Sequence, residues 1–340
     1  MKKLKVAVIG CGNISVMHLD SIKALNQSEL VAVCDNKPER AKETAEKYGV
    51  KWYTDYREMF KKEALDAVHL CLPHYLHTVA AKEALLAGIN VLSEKPMSIN
   101  YGDALDTVAL AEKLGLKYGV IFQCRYNTAS TFIKQHIADG SLGEVRCARV
   151  TLTWHRPDDY YALSDWKGTW DKEGGGVVID QAIHSLDLAN WFIDSTPVEI
   201  QSTLHNRNHK AIIVEDSAEG LIKYDNGALL SFYAMNNYCI DEPIEIRLYC
   251  KNGTARLSYN DAIIYYNDGT TEQAKDEAQK LASYSGGKDY WGTRHAVQIN
   301  QFYNAVMGLE PLEISGREAL KIQKIISDIY ANNDNLNLCK

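Results

Sequence analysis

A glycine-rich turn that follows a short apolar strand is the feature that most constrains the fold. LKVAVIG predicts a strand, and Gly10-x-Gly12-x-x-Ser15 follows it directly before a helical pattern, VMHLDSIKAL. Glycines at such a turn let a pyrophosphate approach the backbone at a helix N-terminus. The next strand pattern, ELVAVCD, ends at Asp35, where an acid can hydrogen-bond the hydroxyls of an adenosine ribose. This order of elements predicts a dinucleotide-binding domain.

The residues near Asp35 bear on the choice between NAD and NADP. A carboxylate at this position repels a 2′-phosphate, so Asp35 favours NAD. Lys37 and Arg40 lie close by in the sequence and can bind a phosphate, so NADP stays possible. The third position of the turn is Ser15 instead of glycine, which predicts a slightly wider spacing between helix and strand. A plain glycine turn beside a strand-end acid is the alternative interpretation.

Strand and helix patterns divide the chain into two parts. The first part alternates the strands LKVAVIG, ELVAVCD, AVHLCLP, INVLSEK and KYGVIFQ with helical segments, which predicts a parallel sheet with right-handed crossovers. Beyond Cys124 come longer alternating segments with DNG, KNG and NDG turns, typical of antiparallel strands. We predict an α/β Rossmann domain with a doubly wound parallel sheet, residues 1–124. An α+β domain with an open, mostly antiparallel sheet and helices on one face follows, residues 125–340.

Composition narrows the classes of partner. The 340 residues carry 37 Lys and Arg against 44 Asp and Glu, a net charge of −7. This balance argues against broad binding of nucleic acid or attachment to a membrane surface. No apolar run approaches the ~20 residues that span a bilayer. The eight cysteines are scattered without C-x-x-C pairs, so we predict buried thiols in a reducing cytoplasm and no metal site.

Two short segments follow later strands of the predicted parallel sheet. CLPHYLH contains Pro73 and His77, and LSEKPMS contains Lys95 and Pro96. Ligands bind in the crevice at the carboxyl ends of such strands, so we expect Pro73 and Lys95 to face that crevice. Pro96 can form a cis peptide bond. A surface imidazole at His77 and a surface lysine in a loop are the simpler interpretations of each segment alone.

An apolar helical pattern after three glycines carries two polar residues on one face. In GGGVVIDQAIHSLDLANWF, Asp180 and His184 are four residues apart, one helical turn. They form either a surface carboxylate beside a partly buried histidine or a catalytic pair, and the segment alone favours the first. The preceding run, WHRPDDYYALSDWKGTWDKE, is rich in aromatic and charged residues. Such side chains suit a polyhydroxylated ring, and ordinary packing at a domain junction is the alternative.

Taken together, these motifs resemble the glucose–fructose oxidoreductase/inositol dehydrogenase (Gfo/Idh/MocA) family over nearly the whole chain. The resemblance adds GVIFQCRYN and the late segment YWGTRHAVQINQFYNAV to the motifs above. It implies NAD(H)-dependent hydride transfer at a secondary hydroxyl or ketone of a sugar, glycoside or cyclitol. It also implies a homodimer or homotetramer that covers the open sheet face. The expected partner is a small carbohydrate or polyol.

The resemblance also implies roles for individual residues. Lys95, Asp180 and His184 form the expected catalytic set, since alcohol oxidation needs a base and a group that stabilises the developing alkoxide. We favour His184 as the base, with Lys95 as the other candidate, and Asp180 as the group that orients His184 or binds a neighbouring hydroxyl. Predicted cofactor contacts are Gly10, Gly12, Asn13, Ile14, Asp35, Arg40, Leu72, Pro73, His77, Glu94, Lys95 and Gln123. Predicted substrate contacts are Lys95, Arg125, Tyr126, Trp166, Lys167, Asp180, His184 and His295.

Lys167 departs from the pattern of one branch of the family. The segment looks like the branch that handles pyranosides and nucleotide sugars, where W-R-G-x-W is common, but Lys167 replaces the arginine. A lysine loses the bidentate fork for a carboxylate or phosphate, which weakens a nucleotide-sugar or uronic-acid assignment. Two alternatives stay open: a redox-neutral NAD-dependent glycoside hydrolase, and a nucleotide-binding sensor without turnover. The presence of Lys95, Asp180 and His184 argues against the sensor.

Overall fold

The computed structural model of the protein describes residues 3–258, 261–275 and 294–332. Residues 290–293, which begin the late family segment, lie outside these ranges, as does Cys339. The described chain forms two compact units, the first made of residues 3–123 and 294–323 and the second of 124–258, 261–275 and 324–332. The predicted second domain included residues 294–323, which the structure instead groups with the first unit. The reason is that Ile299, Phe302 and Tyr303 complete the apolar core of the first unit.

The strands occur in two groups. The first unit contains β1 (Leu4–Ile9), β2 (Ser28–Cys34), β3 (Lys51–Tyr53), β4 (Ala67–Leu70), β5 (Asn90–Ser93) and β6 (Tyr118–Val120). The second contains β7 (Val145–Thr153), β8 (Pro197–His205), β9 (Ser217–Tyr224), β10 (Leu229–Met235), β11 (Glu245–Cys250), β12 (Gly253–Ser258), β13 (Asp261–Tyr266) and β14 (Thr271–Lys275).

The helices connect these strands. They are α1 (Ser15–Ala24), α2 (Pro38–Tyr48), α3 (Tyr56–Lys62), α4 (His77–Leu86), α5 (Tyr101–Leu114), α6 (Thr128–Ala138), α7 (Asp158–Ala162), α8 (Ile183–Ile193), α9 (His295–Val306) and α10 (Gly316–Ala331). Local sequence sets several ends. The Asn100 side chain caps the start of α5 by accepting from the Asp103 N–H, and Gly115 ends that helix in the left-handed conformation.

The first unit is built on a six-stranded parallel sheet of order β3-β2-β1-β4-β5-β6. Every pair in it is parallel. The strand order reverses between β1 and β4, which creates a crevice at their carboxyl ends. The predicted doubly wound Rossmann sheet is confirmed.

The second unit is built on an eight-stranded sheet of order β14-β13-β12-β11-β7-β10-β9-β8. Its neighbours pair antiparallel except β7 and β10, which are parallel. Helices α6 and α8 contact this sheet, α6 at β12 to β14 and α8 at β7. The predicted mostly antiparallel sheet is confirmed. None of the described helices is both long enough and apolar enough to cross a membrane.

Candidate cofactor and catalytic site

The glycine turn after β1 has the geometry that a pyrophosphate site requires. Gly10 has a φ of +92°, and a Cβ at this position would lie 2.2 Å from the carbonyl oxygen of Cys71. Only glycine fits there, because β1 and the end of β4 approach too closely for a side chain. A Cβ at Gly12 would meet nothing within 4 Å, so open space lies above the turn. The Ser15 hydroxyl donates to the Gly12 carbonyl at 2.6 Å, which closes the turn at the start of α1.

Asp35 is held at the end of β2 by four donors. Its carboxylate accepts the Cys11 N–H at 2.8 Å and the Lys37 N–H at 2.9 Å. The Arg40 guanidinium donates to both oxygens, at 2.8 and 2.7 Å. The predicted cofactor residue Arg40 therefore directs its fork at Asp35. This pairing fits NAD for two reasons. The carboxylate is held where ribose hydroxyls can bind it, and Arg40 is already paired with Asp35 instead of being directed at a 2′-phosphate.

Loops after β4 and β5 are joined through His77. One ring nitrogen lies 2.7 Å from the Pro96 carbonyl oxygen and the other 2.8 Å from that of Leu72. The Lys95–Pro96 peptide bond is cis. His77 therefore links the two loops in which the cofactor contacts Leu72, Pro73, Glu94 and Lys95 are predicted. Whether these four residues and His77 itself touch the cofactor stays a prediction.

Glu94 is a buried carboxylate with two histidine partners. Its Oε1 lies 2.9 Å from His18 Nε2 and 3.3 Å from His295 Nε2. Its Oε2 accepts the Lys95 N–H at 3.2 Å. Burial opposes ionisation, but the hydrogen bonds from His18 and His295 outweigh it and hold the pKa of Glu94 well below its usual range. His295, predicted from the family resemblance to contact the substrate, instead contacts the Glu94 carboxylate.

Two further buried side chains extend this arrangement within the first unit. His18 Nδ1 lies 2.8 Å from His69 Nδ1, and His69 Nε2 lies 2.9 Å from the Tyr303 hydroxyl. The sequence patterns did not single out His18, His69 or Tyr303 as site residues. Each sits in an apolar helix or strand pattern where a single polar residue is easily overlooked. The ring nitrogens of His18 and His295 and a carboxylate oxygen of Glu94 lie within 4.8 Å of one another, a spacing at which they could also bind a metal ion. We interpret the set as hydrogen bonds, because the distances fit them directly.

The helix that carries Asp180 and His184 begins as a π-helical turn. Val178–Ala182 is π-helical, and α8 continues from Ile183. The predicted one-turn spacing of Asp180 and His184 assumed α-helical geometry, which this wider turn changes. Glu215 accepts the N–H groups of Gly176 and Val178 at the start of the turn. Wide turns of this kind occur frequently at functional sites.

Lys167 is bound within the second unit by acidic and hydroxyl groups. Its Nζ lies 2.9 Å from Asp180 Oδ2 and 3.8 Å from Glu173 Oε1, and it hydrogen-bonds the Tyr160 hydroxyl. Burial alone would lower the pKa of Lys167, but Asp180, Tyr160 and Glu173 raise it. Burial and the Asp180 charge raise the pKa of Glu173 to about 8. The Glu173 carboxyl therefore holds its proton more tightly than an exposed glutamate does, while Lys167 stays protonated.

The other predicted substrate residues have distinct surroundings. Arg125 forms a buried, bidentate ion pair with Asp187 at 2.8 and 2.6 Å. Trp166 lies under the Lys167 ammonium, 5.0 Å from Nζ to the ring centroid. Tyr126 is half-buried at the end of a short 3₁₀ turn that begins at Gln123. Gln123 is buried, and its Oε1 has no hydrogen-bond partner among the described residues, so it is available to a ligand donor.

These features define a Rossmann protein with a dinucleotide site of the NAD type. A family model described as "Oxidoreductase family, NAD-binding Rossmann fold" matches residues 4–122, and one described as "GFO/IDH/MocA C-terminal domain" matches residues 131–256. The chain belongs to the Gfo/Idh/MocA family of oxidoreductases, as the resemblance in the sequence predicted. It is therefore an NAD-dependent enzyme of the dehydrogenase and reductase class.

Several known proteins are similar over nearly the full length. D-Glucoside 3-dehydrogenase of Escherichia coli (strain K12) is 27% identical over 351 residues, 96% of this chain and 94% of that protein. The WlbA dehydrogenase from Bordetella pertussis, solved with NADH and UDP-GlcNAcA, is 25% identical with a TM-score of 0.84 over 97% of this chain and 96% of that one. Levoglucosan dehydrogenase, in complex with NADH and levoglucosan, shares the fold at 19% identity, with a TM-score of 0.87 over 98% of each chain. The first two are dehydrogenases, so a redox-neutral hydrolase is not favoured.

Proposed function

We propose that this enzyme transfers a hydride between NAD(H) and one secondary hydroxyl or ketone of a neutral sugar, glycoside or cyclitol. The observation that carries the proposal is the similarity to D-glucoside 3-dehydrogenase over 96% of the chain. Tyr160, which contacts Asp180, and Trp166, which packs against the Lys167 ammonium, support a polyhydroxylated substrate. The sugar itself is not specified by these residues.

The proposed chemistry assigns a role to each of three residues. Bound NAD supplies the hydride acceptor for alcohol oxidation. His184 takes the proton from the substrate hydroxyl, because an imidazole titrates near neutral pH. Lys95 stabilises the developing alkoxide by its positive charge. Asp180 accepts a hydrogen bond from a neighbouring hydroxyl, and Lys167 places a positive charge 2.9 Å from this carboxylate.

The proposal of a neutral substrate rests on the partners of Lys167. Its ammonium already contacts Asp180, Tyr160 and Glu173. Binding a substrate carboxylate or phosphate would require it to leave Asp180 buried beside a new negative charge. Binding of an anionic sugar therefore has an electrostatic cost that binding of a neutral polyol avoids.

We also propose that the protein is a homodimer or homotetramer in the cytoplasm. One face of the second sheet exposes Leu221, Tyr249 and Tyr265, each 40% to 46% accessible. A second copy would cover this apolar surface. The described cysteines are free thiols, which suits a reducing compartment. Light scattering of the wild type and of Leu221→Arg with Tyr265→Arg tests the assembly: a monomeric double variant supports it, and a monomeric wild type contradicts it.

The activity is tested by NADH absorbance with purified protein, NAD and matched neutral and acidic sugars. Methyl glucosides, free sugars and cyclitols form the neutral set, and glucuronides and nucleotide sugars form the anionic set. We expect NADH to form with one neutral class. Turnover confined to anionic sugars contradicts the neutral-substrate proposal, while aglycone release without net NADH contradicts the dehydrogenase proposal.

A further inference from the structure

A continuous set of hydrogen bonds crosses the interior of the first unit and ends at Glu94. The contacts run from the Tyr303 hydroxyl to His69, from His69 to His18, and from His18 to Glu94, at 2.9, 2.8 and 2.9 Å. All four residues are buried, with at most 5% of each residue exposed. So many ionisable groups in a Rossmann core are not needed for packing, because apolar side chains would fill the same space.

The directions of these hydrogen bonds follow from counting donors. An ionised Glu94 only accepts, so His18 must donate from Nε2. A neutral His18 then accepts at Nδ1, and the His69 Nδ1–H donates to it. His69 is left to accept at Nε2, where the Tyr303 O–H donates. Every contact then has one donor and one acceptor, and every donor points towards Glu94.

The charge states agree with this assignment. Burial lowers the pKa of His18 and lowers that of His69 well below its ordinary value, so both rings are neutral. Burial also raises the pKa of Tyr303, which keeps its proton. The reverse direction would need a protonated Glu94 or an imidazolium at His18. Two neutral rings and one carboxylate satisfy the same contacts without a buried positive charge.

Glu94 lies on the nicotinamide side of the cofactor crevice. It directly follows β5, while Asp35 follows β2 on the opposite side of β1. A dinucleotide with its adenosine ribose at Asp35 extends across β1 towards β4 and β5. The oxidised nicotinamide ring is positively charged and the reduced ring is neutral. A fixed carboxylate on this side therefore interacts differently with the two forms.

We propose that Glu94 is a redox-selective element of the cofactor site, which strengthens binding of NAD⁺ relative to NADH. His18, His69 and Tyr303 are positioning residues that keep the Glu94 carboxylate ionised and fixed in orientation. The assignment concerns cofactor binding and does not depend on the proposed sugar substrate. It predicts that Glu94 and its hydrogen-bond partners favour bound NAD⁺ over bound NADH. NADH release after alcohol oxidation is then favoured.

The dissociation constants of NAD⁺ and NADH, measured by calorimetry without substrate, test this proposal. Glu94→Gln keeps the shape and removes the charge, and we expect the ratio Kd(NAD⁺)/Kd(NADH) to rise about tenfold, or about 1.4 kcal/mol. General damage to the site weakens both forms alike and leaves the ratio unchanged. Glu83→Gln, a surface carboxylate of the same unit, is the matched control. An unchanged ratio in Glu94→Gln, within twofold, overturns the proposal even if the enzyme oxidises sugars as proposed.

Nitrogen-15 NMR of the protein independently tests the donor-to-acceptor direction of the hydrogen bonds from Tyr303 to Glu94. We expect neutral His18 protonated at Nε2 and neutral His69 protonated at Nδ1, with each signal assigned by its loss in His18→Asn or His69→Asn. Tyr303→Phe keeps the ring and removes the donor, so the Nε2 shift of His69 should move while its Nδ1 stays protonated. His18 protonated only at Nδ1 would mean a protonated Glu94 and would overturn the proposed anion.

Discussion

Lys167 Nζ lies 2.9 Å from Asp180 Oδ2, in a cluster that also contains Tyr160 and Glu173. This contact joins a residue predicted to bind substrate to one predicted to act in catalysis. Both side chains are largely shielded from water, so the attraction between their opposite charges is only weakly screened. We therefore expect Lys167 to act on substrate through Asp180, and not by direct recognition of an anion.

Removal of the Lys167 charge should destabilise the second unit. Lys167→Met removes the ion pair with Asp180, and breaking a buried ion pair costs about 3 kcal/mol or more. Denaturant unfolding measures this change, with Lys210→Met at an exposed site of the same unit as the control. Lys167→Arg should recover most of the stability. Unchanged stability with selective loss of acidic-sugar binding would show instead that Lys167 binds substrate directly.

A change at Asp35 should alter the cofactor preference. Asp35→Ala removes an acceptor for ribose hydroxyls and releases the Arg40 guanidinium, so NAD should weaken about tenfold or more relative to NADP. The two dissociation constants measure the preference. Addition of Arg40→Ala should cancel the gain in NADP affinity. If Asp35→Ala keeps the wild-type preference, this carboxylate is not the ribose contact.

Loss of the Lys95 ammonium should separate binding from catalysis. Lys95→Ala should lower kcat by at least about a thousandfold, because the developing alkoxide loses its stabilising charge. NADH affinity, followed by fluorescence, should change by less than about tenfold. Lys82→Ala, on the surface of α4, serves as the control. Activity close to wild type would remove Lys95 from the mechanism.

His184 should control the pH dependence of turnover. His184→Ala should lower kcat/KM by about a hundredfold or more and remove the ionisation assigned to the base. The pH profile of kcat/KM from pH 5 to 9 measures this effect. His205→Ala in β8, which removes a histidine from the same unit, should leave the profile intact. A profile of the same shape in His184→Ala would place the base elsewhere.

The buried carboxyl of Glu215 should make folding sensitive to pH. Burial raises its pKa from 4.5 to about 7, against hydrogen bonds from Tyr330 and backbone N–H groups. Between these values the folded state binds the proton more tightly than the unfolded state. The free energy of unfolding should therefore fall as pH rises through this window, by at most about 1.4 kcal/mol per pH unit for this group.

Glu215→Gln should flatten that slope, while Glu199→Gln at an exposed site should not. Fluorescence-detected unfolding at several pH values follows the second unit through four of its tryptophans: Trp154, Trp166, Trp170 and Trp191. Glu173, whose pKa is raised in the same direction, adds a slope that the Glu215 variant retains. Equal slopes in wild type and Glu215→Gln would mean that Glu215 stays ionised in the folded protein.

Periodicity and turn chemistry predicted much of the fold. The glycine turn, the parallel order of the early strands and the antiparallel character of the later sheet are all readable as patterns. β3 was missed because Lys51–Tyr53 has three residues and two of them are exposed, too little for an alternation to show. The π-helical turn at Val178–Ala182 was missed because Glu215, which binds its first N–H groups, is distant in sequence.

Side-chain partners were much harder to predict than elements. The sequence indicates Lys167 and Asp180 as candidate site residues. It does not reveal their contact, because they lie on different segments. Likewise, His18, His69 and Tyr303 each look like isolated polar residues in apolar patterns. Their hydrogen bonds depend on the packing of α1, β4 and α9, which no local pattern contains. Predictions of chemical role therefore came from the family resemblance and not from spacing.

The grouping of residues 294–323 with the first unit has a consequence for biosynthesis. Ile299, Phe302 and Tyr303 contribute to a core that otherwise consists of residues near the start of the chain. During translation, the early Rossmann segment must wait while some 170 intervening residues are made before it acquires these side chains. The ribosome therefore delivers an incomplete nucleotide-binding unit first. We expect that unit to mature only late in synthesis, after the strands of the second sheet have emerged.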